Sequence, residues 1–324
     1  MNRLLYALLC CWLLVACQSD DIEQPLSDKI SSIEINTVEG YGKSATELTY
    51  IFEYDPAGRL KKINDKLFYY GDNGRVEFSR IAREVKDENR QEEYIERLSY
   101  HWDAQGRLSE VYMDSLYQRY TSFSDEDVLD SDQVSMTGDV LLAKFNYEET
   151  NRKPSSIRYR KIDRVPQSPL ATLGMEEEVR YSYDGANVVS SQRIGYLDLP
   201  AFSTEKLSYM PQSPFKWNSA YTYLTNPNHL TKIYTQLGFH PYNLHEVVNA
   251  NSIATSKREL DAEELEDIKD RWTPSEGGHI DEGIFDMAGY GKLTYSYHFN
   301  MLELPTEIVA EGDGTMQRTI ITYE

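Results

Sequence analysis

The run Tyr54-Asp55-Pro56-Ala57-Gly58-Arg59-Leu60 constrains the fold of this chain more than any other stretch, because the chain returns to it. Upstream, Tyr50, Phe52 and Tyr54 alternate with Ile51 and Glu53, the two-residue period of a strand with one row of side chains per face. Asp55 suits the first position of a type I turn, where its carboxylate can accept backbone N–H groups. Pro56 presets φ at the second, and Gly58 supplies the left-handed backbone from which a second strand starts. The stretch reads as a β-hairpin. The same frame returns at Tyr70 with Gly74-Arg75-Val76, and at Trp102-Asp103 with Gly106-Arg107-Leu108. It returns with Asn in the glycine slot at Tyr147 with Asn151-Arg152, and at Tyr183-Asp184 with Asn187; Asn is the next-best residue for a left-handed backbone. Looser versions run from Tyr223 to Leu230 and at Tyr297 with Asn300, and Glu311-Gly312-Asp313-Gly314 joins two last short runs. Successive hairpins build an antiparallel meander. The expected fold is all-β: one domain over residues 29–324, on the order of 14 strands, forming a curved or barrel-like soluble sheet. Its turn-defining residues are Asp55, Gly58, Gly74, Asp103, Gly106, Asn151, Asp184 and Asn187.

The motif Tyr-Asp-x-x-Gly-Arg-Leu resembles the YD repeats of Rhs-type proteins, well at 54–60 and 102–108 and partly at 70–76 and 183–188. Rhs shells use dozens of copies to enclose a cargo; this chain has too few for that.

The first residues give a cellular address. Arg3 precedes an apolar run from Leu4 to Ala16, shorter than the roughly 20 residues a transmembrane helix needs and fit for the apolar segment of a secretory signal. Leu14-Val15-Ala16-Cys17 resembles the lipobox of bacterial lipoproteins. That resemblance implies a signal peptide over 1–16, acylation of Cys17 and a polar tether over 17–28. Gln18-Ser19-Asp20-Asp21 resembles the surface-export signal of Bacteroidota lipoproteins, without the lysine of the commoner form. The implied location is the outer membrane, lipid-anchored and facing outward. A lipobox followed by YD-like hairpins is similar to a family of Bacteroidota lipoproteins described as having a porin-like β-fold, some of them labelled lipid-binding. The three cysteines agree: Cys10 and Cys11 leave with the signal and Cys17 carries lipid, so no disulfide is expected.

The net charge of −20 opposes binding to nucleic acid and to anionic headgroups. Residues 91–102, QEEYIERLSYHW, carry Glu92, Tyr94, Glu96, Leu98, Tyr100 and Trp102 on one face and Gln91, Glu93, Ile95, Arg97, Ser99 and His101 on the other. Neither row suits lipid, where a basic residue near the midplane costs about 2–4 kcal/mol. The aromatic residues are mostly Tyr, 25 against 10 Phe and 4 Trp; Tyr buries a ring while keeping its hydroxyl wet or bonded. Cross-strand packing accounts for such rows, and so does a binding surface.

The hairpin pattern lapses between Asn226 and Tyr290. There LDAEELEDIKDRW predicts a helix, with Asp261 and Glu264 as a capping box, Leu260 stapled on Leu265, and Leu265, Ile268 and Trp272 on one face before Pro274. A second turn of helix is expected near Pro241. The insertion, about 240–272, reads as a lid or a cap. Motifs for chemistry are absent. His240, His245 and Glu246 lack zinc spacing, Ser124 to Asp132 lacks the glycine of a calcium loop, and no nucleophile elbow, phosphate loop or dinucleotide fingerprint occurs. No cofactor, metal or catalytic residue is assigned. The expectation is a non-catalytic binding protein for an apolar, lipid-like or glycan ligand, with Tyr50, Phe52, Tyr54, Tyr100, Trp102 and Trp272 as candidate contacts. The alternatives are a protein-interaction module of unknown partner and, third, a glycan-acting enzyme.

Overall fold

The computed structural model describes residues 28–39, 44–87, 89–124, 127–149, 151–164, 171–196, 215–231, 233, 237, 249–260, 291–312 and 315–324. Among the described residues sixteen strands follow one another. They are β1 (Ile30–Glu39), β2 (Ser44–Tyr54), β3 (Leu60–Ile63), β4 (Lys66–Tyr70), β5 (Val76–Lys86), β6 (Arg90–Trp102), β7 (Leu108–Ser124) and β8 (Asp127–Asn146). Then come β9 (Ser156–Arg164), β10 (Ala171–Asp184), β11 (Asn187–Tyr196), β12 (Phe215–Pro227), β13 (Asn251–Leu260), β14 (Gly291–Phe299), β15 (Pro305–Gly312) and β16 (Thr315–Tyr323). Each pairs antiparallel with its neighbour in sequence, and β1 pairs with β16, from Ile30↔Tyr323 to Val38↔Met316. The result is a closed barrel.

Closure corrects the expected fold. The expectation is a curved or barrel-like soluble sheet of about fourteen strands with a helical insertion; the sheet is instead a fully closed barrel, in which the first strand pairs with the last. The helical insertion at 240–272 is corrected too. Residues 251–260 are strand β13, paired to β12 and β14, and Leu260 ends that strand. Helical backbone lies earlier, at Thr231, Ile233 and Leu237. Residues 240–248 and 261–290, with Trp272 and the two histidines, lie outside the described residues, as do Cys17, the signal and most of the tether.

One rim explains the recurring motif letter by letter. The first position accepts the turn's N–H groups: Asp55 Oδ1 takes those of Ala57 and Arg59, Asp103 Oδ1 those of Gln105 and Arg107, and Asn300 Oδ1 those of Leu302 and Leu304. Gly58, Gly74 and Gly106 have φ of 77°, 74° and 77°, the left-handed region. At the other sites another residue takes that conformation: Gly185 (φ 55°) rather than Asn187, and Glu149 (φ 35°) rather than Asn151. Asn187 instead opens β11, and its side chain bonds Asn251. The residue after the glycine covers an aromatic ring of the next hairpin: Arg59 over Tyr70, Arg75 over Trp102 and Arg107 over Tyr147. The apolar letter is buried, as at Leu60, Val76 and Leu108.

The aromatic letter closes each unit. Tyr54, Tyr70, Tyr147, Tyr183, Tyr223, Tyr297 and Tyr323 each donate their hydroxyl, and Trp102 its indole N–H, to a main-chain carbonyl. The acceptors are Ile30, Leu60, Leu108, Pro154, Val188, Ile253 and Pro305 for the tyrosines, and Val76 for Trp102. Each acceptor lies within two residues of the start of the odd-numbered strand that pairs with the strand the donor belongs to or, for Tyr147, directly follows. The barrel is thus eight two-strand units, each latched at the same rim. The last latch, Tyr323 to Pro305 at 2.9 Å, sits beside the ion pair of Lys29 with Glu324, where the two chain ends meet.

Burial alternates along the walls. Tyr94, Leu98 and Tyr100 of β6 point inward and are buried; Arg97 and His101 point outward. The outward rows carry cross-strand charge pairs such as Lys62–Glu53, Arg97–Asp114, Lys144–Glu110 and Arg318–Glu307. The apolar rows face the axis, the reverse of a lipid-embedded barrel.

Candidate binding lumen

The latched rim is filled from within. Between β12 and β13 the chain turns into the barrel, and Leu230, Ile233 and Leu237 join the core formed by Ile33, Tyr50, Phe52, Leu60, Leu108, Met113 and their neighbours. Burying these side chains contributes about 1.5–3 kcal/mol each. Polar staples hold this floor in place. Asn228 Nδ2 donates to the Asn249 carbonyl at 3.0 Å, Asn249 Oδ1 accepts the Val188 N–H at 3.0 Å, and Asn228 Oδ1 accepts the Leu230 N–H at 3.1 Å.

Toward the opposite end the lining changes. Leu48 pairs with Ile35 of β1 and shares the inward row of Tyr50, yet it is 48 % exposed. Val85, inward with Ile81 and Arg83, is 37 % exposed. Among the described residues, these side chains face the axis at this end and still meet solvent. On the β4–β7 wall stand two buried carboxylates. Glu96 is 3.1 Å from Lys66 Nζ and accepts the Tyr94 hydroxyl at 3.0 Å. Glu92 is 3.4 Å from Arg83 and accepts from Gln118 Nε2 at 3.1 Å. Burial first, then the adjacent Glu96 charge, pushes the Tyr94 phenol well above its ordinary value, so it stays a donor. Below them the Ser79 and Tyr100 hydroxyls share a hydrogen bond of 2.9 Å. On the far wall a cavity of about 50 Å³ lies between the floor and β13–β16, lined by Ile33, Leu230, Tyr295, Tyr297, Ile308 and Gln317; it has room for a few waters and not for an acyl chain.

The structure brings five of the six expected contact residues to one body of packed side chains. Tyr50, Phe52 and Tyr100 are core residues, and Tyr54 and Trp102 pack against them with their polar atoms latched. They form the inner wall of the filled half; toward the other end the inward row exposes Leu48 and Val85, while Glu92, Glu96 and Gln118 beside them are buried. Alternation in QEEYIERLSYHW does place Glu92 and Glu96 on the row of Tyr94 and Tyr100. What alternation lacks is height along the strand, which separates that end from the packed half.

No family model and no curated protein matches this chain. Solved structures do. A porin-like protein from Bacteroides vulgatus shares 11 % identity at a TM-score of 0.36, over 91 % of this chain and 98 % of that one. A porin-like protein from Bacteroides uniformis shares 12 % identity at a TM-score of 0.37, over 93 % and 99 % of the two chains. Likeness at this level carries no argument about activity, and the barrel stands on its own strand pairing.

Proposed function

We propose that this chain is a lipid-anchored, non-catalytic protein of the outer membrane, displayed outward, whose barrel is a cup for a ligand with an apolar body and a polar head. One observation carries the reading: the lumen is filled by Leu230, Ile233 and Leu237 at the latched rim and lined at the other end by solvent-facing Leu48 and Val85 next to the Lys66–Glu96 and Arg83–Glu92 pairs. Apolar lining with a few convergent polar groups is the usual make-up of a small-molecule site. A glycan is the alternative ligand, served by the same hydroxyl and carboxylate groups. The interaction-module reading loses its simplest mode, since a barrel whose first and last strands pair offers no free edge for strand addition. For glycosidase chemistry, Glu92 and Glu96 are four residues apart on one strand, so their Cα atoms are about 13 Å apart against a carboxylate spacing of roughly 5–9.5 Å.

The test is a titration of the purified protein with a dansylated long-chain fatty acid and, separately, with oligosaccharides. Saturable fatty-acid binding that Leu48→Arg weakens by about tenfold or more, at unchanged unfolding midpoint, is the expected outcome. Saturable oligosaccharide binding with no fatty-acid binding selects the alternative. No binding of either class overturns the cup.

A further inference from the structure

The rim of latched hairpins carries one tip unlike the others. The described turns at this rim place Pro56-Ala57, Asp72-Asn73, Ala104-Gln105 and Gly185-Ala186 at their ends. The β14–β15 turn has the same geometry as the Asp55 and Asp103 turns: Asn300 N–H to Leu304 carbonyl at 2.9 Å, Glu303 N–H to Asn300 carbonyl at 3.0 Å, and a left-handed residue, Glu303, at φ 58°. Yet its tip is Met301-Leu302, 82 % and 47 % exposed, with Phe299 also exposed beside it. The turn does not require this pair, since Asp-Asn and Ala-Gln serve in the same conformation.

The chain end decides what covers it. Lys29 and Ile30 start at this rim, and β15, which leaves the Met301-Leu302 turn, is separated from β1 by β16 alone. Two strand spacings place the tip about 10 Å from the start of β1. Cys17 lies eleven residues before Asp28, a reach of roughly 20 Å on average for a flexible chain and about 40 Å at full extension. An acyl group on Cys17 therefore keeps this rim beside the bilayer, and the opposite end away from it.

We infer that the latched rim seats on the bilayer surface, with Met301 and Leu302 buried among the lipid headgroups and upper acyl chains. This rests on the acylation of Cys17 proposed above. The seat is peripheral: two apolar side chains add to a tether that already raises the local concentration of the rim at the surface. It leaves the opposite end directed outward.

The test uses the full acylated chain, in which Cys17 is blocked by lipid. Leu302→Cys, and as a control Asn89→Cys in the β5–β6 turn at the opposite end, are labelled with a polarity-sensitive nitrobenzoxadiazole dye. Each is bound to zwitterionic phosphatidylcholine–phosphatidylethanolamine vesicles, with and without brominated lipid. The expected result is blue-shifted emission at position 302, quenched by roughly twofold by brominated lipid, with water-like emission at 89. Vesicle flotation with water-like emission at 302 overturns the seat and leaves the anchor standing. Failure to float, with an unacylated Cys17 by intact mass, overturns anchor and seat together. A blue shift at 302 without vesicles that grows with protein concentration assigns the tip to a second copy of the chain and overturns the seat.

Discussion

Gly58, Gly74 and Gly106 ask the same of the backbone, but their surroundings differ. A Cβ at Gly74 meets open space; at Gly58 it is 3.8 Å from the Lys29 side chain; at Gly106 it falls 1.9 Å from the Arg75 guanidinium that lies over Trp102. Gly74→Ala is expected to destabilise by about 1 kcal/mol from backbone strain alone. Gly106→Ala is expected to cost more, because it also pushes Arg75 off the indole; urea unfolding of the two variants checks the order. The latching hydroxyls make a second prediction. Burial, first among the causes, pushes Tyr54 and Tyr70 up to about 12. Their proton is held more tightly in the folded state than in the unfolded chain, where Tyr ionises near pH 10. The stability they supply is therefore full below about pH 10 and drains as pH rises toward about 12. Tyr70→Phe removes the 2.6 Å bond to Leu60; it is expected to cost about 1 kcal/mol at neutral pH and to flatten the alkaline loss, as read by urea midpoints across that range. The turn letters were legible in the sequence because Asp, Gly and Arg act within five residues of one another. The latch partners were not, since Tyr147 reaches back 39 residues to Leu108.

Among elements, the short β3–β4 hairpin shows how a side chain extends a ladder. β3 ends at Ile63, while β2 runs on. Asn64, at φ 49°, accepts the Ile51 N–H at 2.7 Å and donates to the Thr49 carbonyl at 2.8 Å, standing in for the missing strand residues. Asn64→Ala is expected to speed amide exchange at Ile51 in particular, with little change at Tyr50. The floor segment carries more weight. Leu237 is 1 % exposed within the core; Leu237→Ala is expected to destabilise by about 2–5 kcal/mol, measured by urea unfolding, where a surface flap would lose almost nothing. A filling segment in this connection was legible as a break in hairpin spacing, but its place was not. The capping box and 3.6-residue period at 260–272 outweighed Leu230, Ile233 and Leu237, which lack a cap signal. Residues 251–260, NSIATSKREL, carry charged residues that read poorly as strand until their outward row is known.

For the whole molecule, closure was the part that local pattern could not supply. Alternation and turns say that strands alternate in and out; strand number and stagger, set by pairings hundreds of residues apart, say whether the sheet returns to itself. The latch shows why the sequence hides this: neighbouring units are visible where a turn joins them, but the first and last units meet without a turn, through Lys29, which lies over Tyr54 and pairs with Glu324. The direct test is cross-linking at that seam. Val38 pairs with Met316 and Met316 with Glu311, so Val38→Cys with Met316→Cys places Cα atoms about 5 Å apart, and Val38→Cys with Glu311→Cys about 10 Å apart. On mild oxidation of the folded chain, the first pair is expected to form an intramolecular disulfide in nearly every molecule and the second none; a first pair that stays reduced, or that links two chains, would contradict the closed barrel.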